Sequence, residues 1–189
     1  MPEIVGIAGS LSSPSRTRAV VSAAVRSTAE RTGLTGAVYD LRDIGPSLGA
    51  AVGIGDLAPD ARDVVKRILN ADALIVGTPV YKGSYTGLFK HLFDLIEPAA
   101  LKDKPILLTA TGGGDRHALV IEHQLRPLFG FFEAATIATG VYASSADFKD
   151  GELSSPELLA RLETATRQLA SAIRAQAAFW QQDLATDAA

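Results

Sequence analysis

Three short segments hold the residue types and spacings that can do chemistry. The first, GSLSSPSRT, runs from Gly9 to Thr17. It offers backbone N–H groups at Gly9 and Ser10, and hydroxyls at Ser10, Ser12, Ser13, Ser15 and Thr17, with Arg16 as the local positive charge. Such a set suits a phosphate monoester, and a helix opening directly after it favours an anion. Taken alone, the segment also reads as a Ser-rich turn with a helix cap. GxGxxG is absent and no GK[ST] follows, so neither the dinucleotide fingerprint nor a P-loop is present. The second segment is Thr78-Pro79-Val80-Tyr81-Lys82-Gly83-Ser84, and the third is Thr111-Gly112-Gly113-Gly114-Asp115. Glycine lets a backbone pass close to a flat ligand and present its N–H groups to ring carbonyls and nitrogens. Tyr81 is a side chain able to flank such a ring. Alone, TGGGD also reads as a flexible turn.

The elements that must position these segments follow from hydrophobic periodicity. Ile4–Ala8 is a continuous apolar run and reads as a buried strand. Arg16–Arg31 reads as a helix with Ala19, Val20, Ala23, Ala24 and Val25 facing inward, closed by Gly33. Strands are expected at Gly36–Leu41, Ala73–Gly77, Pro105–Ala110 and Ala135–Tyr142. Helices are expected at Asp60–Asn70, Tyr85–Ile96, Ala118–Phe132 and from Pro156 to about Trp180, the last capped by Ser154 or Ser155. Gly45–Pro59, rich in glycine and poor in charge, reads as a mobile loop. Continuous apolar strands alternating with helices imply a parallel sheet covered on both faces. One domain over residues 1–180 is expected, with a frayed tail at 181–189.

Parallel sheets of this kind bind ligands at the carboxyl ends of their strands. All three segments fall there, after the first, third and fourth strands. Their arrangement matches a long ligand with a phosphate at one end and a planar ring at the other, which is the shape of FMN.

Composition narrows the alternatives. The 189 residues suit a single core, and the hydrophobic share of 47% is that of a globular chain. Net charge is -3 with no long basic run, which argues against nucleic acid or an anionic membrane as partner. There is no cysteine, so disulfides, thiolate metal sites and Cys nucleophiles are excluded, and no other metal-ligand cluster is evident. No signal peptide and no apolar run of membrane-spanning length is visible, so a cytoplasmic location is the expectation.

GSLSSPSRTRAV, GTPVYKGSYTGLFKHLFDL and LLTATGGGDRHAL resemble the NADPH-dependent FMN reductase family, most closely the flavin reductases of alkanesulfonate monooxygenase systems. The likeness runs from Ile4 to about Tyr142. It implies a flavodoxin-like three-layer sandwich, with a five-stranded parallel sheet in the order 2-1-3-4-5 and helices on both faces. It implies an NAD(P)H:FMN oxidoreductase in which NADPH or NADH gives hydride to FMN. It also implies a homo-oligomer (dimer or tetramer) and a flavin-dependent monooxygenase of organosulfur metabolism as the consumer of reduced FMN. The flavin-binding residues carried over are Ser10, Ser12, Ser15, Arg16 and Thr17, then Pro79, Val80, Tyr81 and Lys82, then Thr111, Gly112, Gly113, Gly114 and Asp115. Many members carry Arg where this chain has Ser12, so Arg16 is left as the nearby cation. Hydride transfer belongs to the cofactor and needs no protein acid or base. No catalytic residue is therefore assigned, with His123 as the one candidate.

His123 enters through Pro127. Inside a helical pattern proline lacks an N–H and clashes with the carbonyl four residues back, here that of His123. A plain kink or a π-bulge near His123 would relieve this, and the π-bulge is the favoured reading. In the sulfonate-linked reductases a similar insertion forms a π-helix at a tetramer interface close to the flavin, often with Tyr where this chain has His123. His91 reads as structural, and His117 as a neighbour of the nicotinamide site. Lys82, Lys90 and Arg116 read as solvated charges. The helix at Tyr85–Ile96 is apolar on two sides, Leu88, Leu92 and Leu95 on one and Phe89, Phe93 and Ile96 on the other, as expected of a subunit interface.

Two other functions fit the fold. One is a quinone, azo or chromate reductase with tightly held FMN, and the other is a flavodoxin-type electron carrier that never meets NAD(P)H. A phosphoacceptor receiver domain is excluded, because it needs an acidic pair where this chain has Gly9-Ser10.

Overall fold

The computed structural model describes residues 3–187, with side chains to residue 179. β1 (Glu3–Ala8) leads through the Ser-rich loop to α1 (Arg16–Thr32), and β2 (Thr35–Asp40) runs into the short α2 (Leu41–Ile44). α3 (Pro59–Asn70), β3 (Ala73–Pro79), α4 (Gly87–Asp94) and β4 (Pro105–Thr111) follow. A π-helical segment (Ile121–Leu125) continues into α5 (Arg126–Phe131), and β5 (Ala135–Thr136) and β6 (Val141–Ala143) come next. A small hairpin of β7 (Phe148–Lys149) and β8 (Glu152–Leu153) precedes α6 (Pro156–Asp187).

The main sheet is parallel in the order β2-β1-β3-β4-β5, with β6 also paired to β4. Side chains along the strands alternate between two cores, as the period of two requires. Val5, Ile7, Leu74, Val76, Ile106 and Leu108 face the core shared with α3, α4 and α5. Ile4, Ala8, Ala73, Ile75 and Leu107 face the core shared with α1 and α6. This is the flavodoxin-like sandwich.

α1 shows how local sequence fixes the ends. The Ser15 hydroxyl accepts the Arg18 N–H at 3.2 Å, and Gly33 takes φ 73° as a left-handed cap.

Four expectations are revised. The fifth strand is not continuous over Ala135–Tyr142: it is two short pieces, with the chain between them leaving the ladder. Gly45–Pro59 is not a bare loop. It folds into two 3₁₀ turns whose Leu48, Ala51 and Leu57 are buried in the core, so apolar anchors hold it down. The helix expected over Ala118–Phe132 starts later, at Val120 after a turn at Ala118 and Leu119, and ends at Phe131. The last helix passes Trp180 and is helical to Asp187, while Ala188 and Ala189 lie outside the described residues.

Candidate functional site

The carboxyl ends of β1, β3 and β4 open on one cleft of about 350 Å³. Ser10, Ser12, Ser15, Arg16 and Thr17 line one side of it, and Pro79, Val80, Tyr81, Thr111, Gly112 and Gly113 the other. Pro14 also lines it, a residue the sequence reading passed over because proline offers no donor. No carboxylate lines this cleft among the described residues.

The loop is braced from within. The Ser10 hydroxyl accepts the Ser12 N–H at 3.1 Å. Arg16 and Thr17 begin α1, so their N–H groups have no intrahelical acceptor and remain available at the cleft. The Thr17 and Thr111 hydroxyls meet at 2.7 Å in a buried contact. The Thr86 hydroxyl donates to the Gly9 carbonyl at 3.0 Å and its N–H donates to the Thr78 hydroxyl at 3.2 Å, tying the start of α4 to two strand ends. The Arg16 guanidinium donates to the Ser145 hydroxyl and lies over the Phe148 ring, 5.8 Å from its centroid.

The other side is built from backbone. The Val80 N–H donates to the Thr111 carbonyl at 2.7 Å, and the Gly112 N–H to the Ala143 carbonyl at 3.0 Å. The Tyr142 hydroxyl donates to the Gly114 carbonyl at 2.6 Å. Burial, and to a smaller degree the Asp115 charge, pushes this hydroxyl above its ordinary 10, which keeps its proton in place. Gly112 is required by close approach: a Cβ there would stand 2.1 Å from the Tyr142 oxygen.

Tyr81 and Ser84 exchange backbone hydrogen bonds around Lys82 and Gly83, whose φ values of 53° and 87° mark a type I′ turn. The turn aims Lys82 into solvent, so Lys82 does not line the cleft. Gly114 and Asp115 are also outside it. The Gly114 carbonyl is taken by Tyr142, and Asp115 starts the exposed turn that follows.

The π-helical segment is present. The Arg126 N–H reaches the Ile121 carbonyl five residues back, and Pro127 follows at once. His123 does not line the main cleft. It lines a smaller adjacent cavity of about 170 Å³ with Gly83, Arg116, His117, Leu119, Val120 and Gln124. The Ser84 hydroxyl donates to the Gln124 side-chain oxygen at 3.1 Å, tying the turn after β3 to the π-helical segment. His91 sits on α4 with a buried Nε2 that has no hydrogen-bond partner among the described residues. A groove lined by Phe93, Leu95, Ile96, Pro98, Leu128, Phe131 and Phe132, together with the charged Lys90, Asp94 and Glu97, runs between α4 and α5, and Phe131 is 71% exposed. Among the described residues no metal-binding cluster gathers and no helix is long and apolar enough to cross a membrane.

This chemistry fits FMN. One end of the cleft collects hydroxyls, helix-start amides and one guanidinium, and the other presents two backbone turns beside an aromatic ring. Residues 2–149 match the family described as NADPH-dependent FMN reductase. The chain is 45% identical over 168 residues to the NADH-dependent FMN reductase SfnF of Pseudomonas fluorescens, covering 89% of this chain and 90% of that protein. It is equally identical, 45% over 168 residues with the same coverage, to the FMN reductase (NADPH) of Pseudomonas aeruginosa. Among solved structures, an oxidoreductase of Corynebacterium diphtheriae superposes with a TM-score of 0.83 at 32% identity, covering 92% of this chain and 97% of that one.

Proposed function

The chain belongs to the NADPH-dependent FMN reductase family, and from that premise we propose how its cleft serves the reaction. The protein is an NAD(P)H:FMN oxidoreductase. Bound FMN supplies the chemistry, accepting hydride from the nicotinamide. The chain's own residues have to bind, orient and keep the flavin face open to a second ring.

Ser10, Ser12, Ser15 and Thr17, with the first amides of α1, take the phosphate, and Arg16 supplies the charge. Val80, Gly112 and Gly113 bring backbone beside the ring, and Tyr81 flanks it. Lys82, Gly114 and Asp115 act on the flavin only through the turns they shape. The observation that carries this reading is the single cleft in which the Ser-rich loop meets the Pro79–Tyr81 and Thr111–Gly113 turns.

Relatives of equal identity are named for NADH and for NADPH, so both nucleotides belong in the assay. We take residues 1–180 as one flavin-binding unit acting in the cytoplasm. Its reduced FMN passes to a flavin-dependent monooxygenase of organosulfur metabolism. A second copy of the chain covers the groove between α4 and α5, forming a dimer or tetramer. Within that assembly His123 approaches a flavin across a subunit boundary.

Steady-state oxidation of NADH and NADPH with FMN, FAD and riboflavin tests the reading. A flavin-dependent rate with preference for FMN is expected. No flavin-dependent rate overturns the activity, and equal efficiency with riboflavin overturns the role of the Gly9–Thr17 loop.

A further inference from the structure

We infer that the turn at Ser145–Asp147 and the β7–β8 hairpin that follows it hold Arg16 at the phosphate end of the cleft, through Ser145 and Phe148, and thereby set the preference for phosphorylated over unphosphorylated flavin. This rests on the FMN reductase reading above.

Arg16 is the cation of the cleft lining, and no carboxylate pairs with it among the described residues. Two residues on, Arg18 is different: Asp40 and Asp43 engage it. Arg16 is instead held by two neutral groups, the Ser145 hydroxyl and the Phe148 ring. Neutral partners fix a guanidinium without cancelling its charge. One hydrogen bond to Ser145 also leaves most of its five N–H donors free for a phosphate.

The turn at Ser145–Asp147 and the hairpin after it are braced at both ends, as a clamp must be. The Asp147 carboxylate accepts the Ser144 N–H at 2.7 Å and its hydroxyl at 3.0 Å. The Asp147 carbonyl accepts the Ser154 N–H at 2.9 Å, and the Ser155 hydroxyl caps α6 by accepting the Leu158 N–H at 3.2 Å. Phe148 pairs with Leu153 across the hairpin, and both pack on the core shared by α1 and α6. The ring under Arg16 is thus tied to the same helix layer that carries Arg16. Phe148 and Ser145 are positioning residues, since neither lines the cleft.

The test measures kcat and KM for FMN and for riboflavin at saturating NADH in the full-length protein. Phe148→Leu keeps the apolar packing and removes the ring face. It is expected to raise the KM for FMN about 3-fold with kcat unchanged and the KM for riboflavin unmoved. Phe148→Tyr keeps the face and restores the wild-type ratio of the two KM values. Ser145→Ala shifts the ratio in the same direction as Phe148→Leu and reads the clamp without touching the core. In an Arg16→Gln background, Phe148→Leu changes the ratio no further. A KM raised equally for both flavins, or full additivity with Arg16→Gln, overturns the inference. Quenching of FMN and riboflavin fluorescence without nicotinamide gives the same ratio independently of turnover. Loss of the activity reading and loss of the clamp are therefore separate results.

Discussion

The hydroxyls of Thr17 and Thr111 meet at 2.7 Å, although the residues are 94 positions apart in the chain. One stands in the first turn of α1, beside the Ser-rich loop, and the other ends β4, beside the glycine turn, so this buried contact ties the two halves of the cleft together. Thr111→Val leaves the Thr17 hydroxyl buried without a partner, at a cost of about 1–3 kcal/mol. The expected outcome is lower stability in urea unfolding and a higher KM for FMN. Thr17→Val combined with Thr111→Val removes both polar groups and recovers most of the stability. If the double variant is instead as unstable as the sum of the singles, the contact does not couple the two elements.

Gly112→Ala tests the glycine turn after β4. The new methyl meets the Tyr142 hydroxyl, which then loses the Gly114 carbonyl, and overpacking of this kind costs about 1–3 kcal/mol. Adding Tyr142→Phe removes the clashing oxygen and returns part of the loss. Unfolding midpoints of the two variants are the measurement, and no recovery in the pair would argue against this clash.

Asp40 contributes to stability in a pH-dependent way. Its side chain is 0% exposed, and burial alone would raise its pKa, but hydrogen bonds from Arg42 and Arg18 outweigh that and hold it below the ordinary 3.8. A carboxylate lowered in this way adds stability above its unfolded pKa, and that stability is lost as pH falls through the folded value. Asp40→Asn should therefore lose about 1–3 kcal/mol at pH 7, since both arginines are partly exposed and solvent screens them. The difference from wild type should shrink below about pH 4. A constant difference from pH 7 to pH 3 would show that packing, not charge, is responsible.

Phe131→Glu tests self-association. Phe131 is 71% exposed on the groove between α4 and α5, so a carboxylate there leaves the core intact but disfavours burial against a second copy. Sedimentation velocity should report a smaller species than wild type with the same circular dichroism. An unchanged sedimentation coefficient would remove the groove from the interface.

Most of the sheet was readable because each central strand is an uninterrupted apolar run, and this also located the strand ends where the cleft forms. Pro127 disclosed the π-helical segment through its missing N–H. The split of the fifth strand had no such signal, because Ala135–Tyr142 is apolar enough for one strand and side chains of the flanking helices, Arg126, Arg161 and Gln168, take the backbone groups between its pieces. Gly45–Pro59 misled for the opposite reason. Its glycines suggest freedom, whereas Leu48 and Leu57, ordinary in sequence, bury it. At the site, hydroxyls and glycines could be read directly. The outward direction of Lys82 depends on a turn geometry, and the hold of Phe148 on Arg16 depends on tertiary contact alone.

The divided fifth strand also bears on solubility. It is the last strand on its side of the sheet, where an unpaired backbone is a template for a foreign strand. Between its two pieces, Arg126 donates to the carbonyls of Ile137 at 3.1 Å and Ala138 at 3.2 Å, and Arg161 donates to that of Gly140 at 2.6 Å. The Thr139 N–H is taken by Gln168 at 3.1 Å. The border of the sheet is thus sealed by two arginines and a glutamine, and edge-to-edge aggregation finds no continuous row of free amides and carbonyls there.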